Sequence, residues 1–63
     1  MFNLKIARVK KGLTQKELAD LVGVSSSTIN RIETGKQIIK VDMLNKLANI
    51  LEVPVDELLK NNN

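Results

Sequence analysis

The chain has 63 residues and a formal net charge of +3, enough for one domain with a small core. It contains no cysteine and no histidine, which excludes disulfides, thiolate metal sites, classical zinc sites and histidine acid–base chemistry. Phe2 is the only aromatic residue, so the core must be aliphatic.

Met1 is followed by a charged, amphipathic segment, and no apolar run is long enough for a membrane span. A soluble, cytoplasmic protein without membrane contact is expected. Charge is uneven. Residues 1–40 carry eight basic side chains against three acidic ones, a net of +5; residues 41–63 carry two against four, a net of −2. An uneven solvated surface accounts for this, and so does a half that faces a polyanion.

Apolar residues never alternate over a sustained stretch, so an all-α chain with short turns is predicted. A first helix is predicted from about Asn3 to Lys11, stopped by Gly12. In "TQKE", Thr14 caps a second helix while Glu17 reaches back in a capping box. Leu18, Ala19, Leu21 and Val22 fill this helix, Gly23 ends it, and Val24 plugs the gap to the next. Ser25 then caps a third helix that reaches Glu33 or Thr34, with Gly35 as its stop. "KQIIK" is a connection. A fourth helix runs from Val41 to Leu51 with Val41, Leu44, Leu47, Ala48 and Leu51 on one stripe. "EVPVDELLK" gives a short fifth helix; Pro54 is tolerated at its start, and Asp56 and Glu57 suit the positive end of its dipole. The domain is placed at residues 1–60, with 61–63 as a frayed tail.

The third helix opens with small hydroxyl residues, "SSST". At 100° per residue, Ile29, Ile32 and Glu33 share one face. Ser27, Asn30, Arg31 and Thr34 lie on the other, with Ser26 at the exposed amino end. The outer face is thus polar and short, with one planar cation at its middle. Such a face suits a DNA major groove: hydroxyls donate to phosphates or base edges, and arginine forks onto guanine O6 and N7. It also suits an ordinary solvated, well-capped helix. The spacing around it is more specific. Counting Gln15 as one, Ala19 is fifth, Gly23 ninth, Ile29 fifteenth and Ile32 eighteenth. A small residue allows close crossing, glycine accepts a sharp turn, and branched residues pack the second helix on the first. Together these specify a helix-turn-helix over about residues 14–33.

The segment "GLTQKELADLVGVSSSTINRIETGK", continued by "VDMLNKLANILEVPVDELL", resembles the phage Cro and lambda-repressor family of DNA-binding domains, Xre-like regulators, over roughly Leu4 to Leu59. The resemblance implies a five-helix domain whose third helix enters the major groove. It implies a phosphate contact for Gln15, base-reading positions at Ser26, Ser27 and Arg31, and a backbone contact at Lys36. With Ser25 and Asn30 beside them, the expected DNA-binding set is Gln15, Ser25, Ser26, Ser27, Asn30, Arg31 and Lys36. Arg8 and Glu33 match a partly buried pair that ties the first helix to the third.

Three departures stand out. Lys40 replaces the usual hydroxyl cap of the fourth helix. Pro54 stands where serine or threonine is common. Apolar residues occupy ordinarily polar places, with Phe2, Ile6 and Val9 as a second stripe on the first helix and Ile38 and Ile39 in the connection. These either fold over the rim of the core or form a protein-contact surface.

The expected function is a sequence-specific DNA-binding transcriptional regulator, a repressor acting as a homodimer on a palindromic operator in double-stranded DNA. No second domain is expected, so repression is read as promoter occlusion. The alternative is an antitoxin or another regulator whose main partner is a protein. Neither a cofactor nor a metal is expected. The seven carboxylates are scattered and form no nucleophile–base set, so an enzyme is not expected.

Overall fold

Glycine and hydroxyl residues divide the chain into five helices in the computed structural model, which describes residues 3–59. They are α1 (Leu4–Lys10), α2 (Gln15–Val22), α3 (Ser26–Glu33), α4 (Val41–Leu51) and α5 (Val55–Leu59). Phe2 and the tail 61–63 lie outside the described residues. Among those residues no helix is long and apolar enough to cross a membrane.

Each helix contributes a narrow apolar stripe to one core. Leu4 and Ala7 come from α1, Leu18, Ala19 and Val22 from α2, and Ile29 and Ile32 from α3. Leu47, Ala48 and Leu51 come from α4 and Leu58 from α5. The residues that follow α1, α2 and α4 extend this packing. The amides of Leu13, Val24 and Val53 donate back to the carbonyls of Arg8, Ala19 and Ala48 at 3.0–3.1 Å, and all three side chains pack against the core. Each of these three helices is therefore closed by a reversed turn that tucks an apolar residue inward.

Two apolar positions differ from expectation. Leu21 is 56% exposed, because Leu18, Ala19 and Val22 already define the buried stripe and Leu21 lies roughly 100° off their mean direction. Val41 is 69% exposed; it opens α4 before Leu47, Ala48 and Leu51 bring the helix onto the core. The first helix also starts one residue later than expected. Asn3 precedes it, is 7% exposed, and makes no capping bond with its side chain. Instead its backbone N–H donates to the Leu58 carbonyl at 2.9 Å and its Nδ2 to Glu57 Oε2 at 3.2 Å. This joins α1 to α5, a long-range link that no local pattern announces.

Candidate nucleic-acid interface

The α2–α3 unit is built from its ends inward. At the start of α2 the Thr14 N–H donates to Glu17 Oε1 at 2.8 Å, and the Glu17 N–H donates to Thr14 Oγ1 at 3.0 Å. The Thr14 N–H, and after it the hydroxyl, hold the Glu17 carboxyl below its ordinary value. At the other end Gly23 adopts φ 88° and ψ 30°, in the left-handed region that a side chain disfavours. The turn ends on Ser25, whose Oγ accepts from the Thr28 N–H at 3.2 Å and lies 3.0 Å from Thr28 Oγ1. The hydroxyl run therefore divides by role. Ser25 is engaged in the cap, Thr28 is half-buried, and Ser26 and Ser27 are exposed.

Along α3 the helical period separates two faces. Ile29, Ile32 and Glu33 are buried, while Ser26, Ser27, Asn30 and Arg31 are exposed. Gln15, Ser26, Ser27, Asn30 and Arg31 line one shallow concavity of about 340 Å³. Arg31 forms no ion pair among the described residues, so its guanidinium is available to an outside acceptor. Thr34 turns its hydroxyl back onto the helix, donating to the Asn30 carbonyl at 2.9 Å. Lys36 lies outside the concavity. Its N–H donates to the Arg31 carbonyl at 2.8 Å across Gly35, which fixes its backbone one turn beyond Arg31. Unlike Leu13, Val24 and Val53, Lys36 is exposed. The end of α3 thus sends a cation outward where the ends of α1, α2 and α4 send an apolar residue inward.

A buried polar cluster backs this surface. Arg8 Nε donates to Glu33 Oε2 at 2.6 Å, and Arg8 Nη1 donates to the Leu13 carbonyl at 2.7 Å. The pair is almost fully enclosed, with side chains 10% and 3% exposed. Gln15 Nε2 donates to Glu33 Oε1 at 2.9 Å. Gln15 therefore belongs to both surfaces: it lines the outer concavity and hydrogen-bonds the inner carboxylate. Sequence reasoning assigned it only the outward role. The two residues are 18 positions apart on different helices, so only the crossing of α2 and α3 brings them together.

The apolar departures differ in exposure. Ile38 is 93% exposed, whereas Ile39 is half-buried and packs against the core. Ile39 is thus a rim residue, and Ile38 alone carries the exposed apolar surface of the connection. On α1, Ile6 and Val9 are 42% and 58% exposed. Lys11 and Glu52 form a further exposed pair at 2.5 Å, which lowers the Glu52 carboxyl through its hydrogen bond and charge. Nothing in their 41-residue separation indicated it.

Residues 4–58 match the helix-turn-helix family. The chain is 40% identical over 57 residues to YonR, a prophage-derived HTH-type transcriptional regulator of Bacillus subtilis, covering 90% of this chain and 53% of that protein. It is 39% identical over 61 residues to the cryptic phage CTXphi transcriptional repressor RstR of Vibrio cholerae, covering 94% and 55%. The chain thus spans about half the length of these two relatives. Among solved structures, SinR in complex with DNA superposes with a TM-score of 0.82 at 34% identity, over 90% of this chain and 92% of that one. SinR is the master biofilm regulator of Bacillus subtilis. The shared five-helix fold and the matched span agree, and the chain belongs to the Xre-like helix-turn-helix family.

Proposed function

We propose that this chain is the DNA-binding unit of a transcriptional regulator, a repressor, and that it binds as a dimer across a palindromic operator. The observation that carries this proposal is the outer face of α3. Ser26, Ser27, Asn30 and Arg31, which has no ion pair among the described residues, line one concavity with Gln15, and no aliphatic side chain is part of that lining. A helix so dressed enters the major groove closely. Arg31 forks onto guanine, the hydroxyls and Asn30 donate to base edges or phosphates, and Lys36 takes a phosphate beside them. Ser25 shapes the surface as a cap rather than as a contact. The likeness to RstR, a transcriptional repressor, and to YonR, an uncharacterized HTH-type transcriptional regulator, supports the assignment. It is a binding module and not an enzyme. Such a dimer would read two half-sites about 34 Å apart, one turn of DNA.

Selection of bound duplexes from random DNA tests this and supplies the operator. On the selected duplex, Arg31→Ala weakens binding by about 1–3 kcal/mol and weakens random DNA less. Lys36→Ala weakens both alike and flattens the salt slope by about one unit. Equal losses on both duplexes for Arg31→Ala would reduce that residue to a phosphate contact. If no duplex is retained at low ionic strength, the DNA-binding proposal fails.

A second function is favoured by a specific observation, the exposure of Ile38, Ile6 and Val9. In that case the primary partner is a protein, as for an antitoxin. A small toxin encoded beside this chain, with a stable complex between the two, supports it. A clean homodimer in sedimentation assigns the apolar surface to self-association instead.

A further inference from the structure

We propose that Glu33 is a positioning residue for nucleic-acid binding: from inside the domain it holds the Gln15 amide in the orientation that meets a DNA phosphate. This rests on the DNA-binding function proposed above and concerns how one contact is prepared. The amide of glutamine has two ends of similar shape, a donor and an acceptor, and its terminal torsion is broad and nearly two-fold. In solvent both orientations are populated. An ionised carboxylate accepts only, so it selects the orientation with nitrogen towards it. Gln15 Nε2 lies 2.9 Å from Glu33 Oε1. Glu33 is itself clamped by Arg8, through Nε at 2.6 Å and Nη2 at 3.4 Å, and is 7% exposed. The clamp is rigid because the remaining arm of Arg8 is tied to the Leu13 carbonyl at 2.7 Å.

One amide hydrogen of Gln15 is thereby used internally. Its second N–H and its Oε1 remain for the concavity that it lines with Ser26, Ser27, Asn30 and Arg31. The second N–H is the group that a phosphate oxygen can accept. With the amide reversed, Oε1 would face the Glu33 carboxylate, acceptor against acceptor. The buried pair therefore does more than join α1 to α3, because it sets the polarity of a half-buried side chain at the α2 amino end.

The test is a double-mutant cycle on a duplex selected by the wild-type chain. One arm is Gln15→Leu. The other replaces the buried pair by apolar residues, Arg8→Met with Glu33→Leu, a kind of exchange that commonly preserves folding. The third carries all three changes. Each arm is expected to lose three- to tenfold in affinity, the equivalent of about one hydrogen bond, and the combined variant to lose no more than either alone. Wild-type affinity in the folded pair variant overturns the proposal, as do losses that multiply in the combined variant. Should the pair variant not fold, amide NMR of the wild-type chain decides. A hydrogen bond from the Gln15 amide to the Glu33 carboxylate that persists in the DNA complex supports positioning; an amide that leaves Glu33 on binding overturns it. Failure of the wild-type chain to retain any duplex is a distinct result, which removes the DNA-binding function itself.

Discussion

Arg8 satisfies two partners from one enclosed position, the Glu33 carboxylate on α3 and the Leu13 carbonyl after α1. A guanidinium suits this site because its donors sit in a fixed fork, whereas an ammonium offers one point. The pair does not by itself imply net stability, since removing two charges from water is costly. Removing one partner is another matter. Arg8→Met leaves a carboxylate 7% exposed without its counter-charge, and should destabilise the domain by about 3–5 kcal/mol. Domains of this length hold only roughly 3–9 kcal/mol in total, so chemical denaturation should find the midpoint of the variant shifted far towards zero denaturant. Replacing Arg8 and Glu33 together by apolar residues should restore most of that loss. A marginal effect of Arg8→Met would mean that water reaches Glu33. Both members were legible in the sequence, Glu33 because the helical wheel places it with Ile29 and Ile32. The third member, Gln15, was not, because a wheel reports which way a residue faces but not which other helix crosses there.

Capping differs sharply from helix to helix. The second begins with a reciprocal capping box and the third with a serine cap, whereas Lys40 precedes α4 with no side-chain bond to it. Lys40 already has the extended backbone of a cap, φ −81° and ψ 157°, so only the accepting oxygen is missing. Lys40→Ser should therefore stabilise the domain by about 0.5–1 kcal/mol and raise Tm by a few degrees, by thermal melting. An unchanged Tm would show that Lys40 offsets the lost cap by some other contact. The capping box also links stability to pH. The folded-state pKa of Glu17 lies below its ordinary value of 4.5, so its contribution is present above about 4.5 and disappears as pH falls through the lowered value. Glu17→Gln should be less stable than wild type at neutral pH, and the difference should shrink towards pH 3. A constant gap across that range would take the carboxylate charge out of the cap. The order of the helices was readable because hydroxyl caps and glycine stops punctuate the chain. Helix α4 instead ends on Glu52, a non-glycine residue at φ 58°, a conformation that sequence pattern alone does not mark.

At the scale of the molecule, the outer face of α3 was readable because a short helix on a core exposes whatever its apolar stripe leaves out. A surface for the proposed second copy was not, because exposure depends on how each connection folds back. Ile38 and Ile39 are neighbours with the same side chain, yet one is 93% exposed and the other packs on the core. Ile38 forms one wall of a groove of about 180 Å³ that Ile32, Gln37, Ile39, Lys40 and Met43 also line. In a two-fold dimer a protruding residue next to a groove can be used twice, each copy supplying the knob for the other. This connection follows Lys36 directly, so contact here would place the carboxyl ends of the two α3 helices towards the dyad. Burial of an isoleucine is worth about 1.5–3 kcal/mol, or roughly 3–6 kcal/mol for the symmetric pair. Ile38→Ser should therefore weaken dimerisation by at least about a hundredfold in sedimentation equilibrium. Affinity for an isolated half-site should stay as in wild type, because Arg31 and its neighbours are untouched. Binding to the full operator should lose its cooperativity. If Ile38→Ser leaves the dimer intact, the exposed Ile6 and Val9 on α1 become the alternative surface, and Val9→Ser should then produce the loss that Ile38→Ser did not.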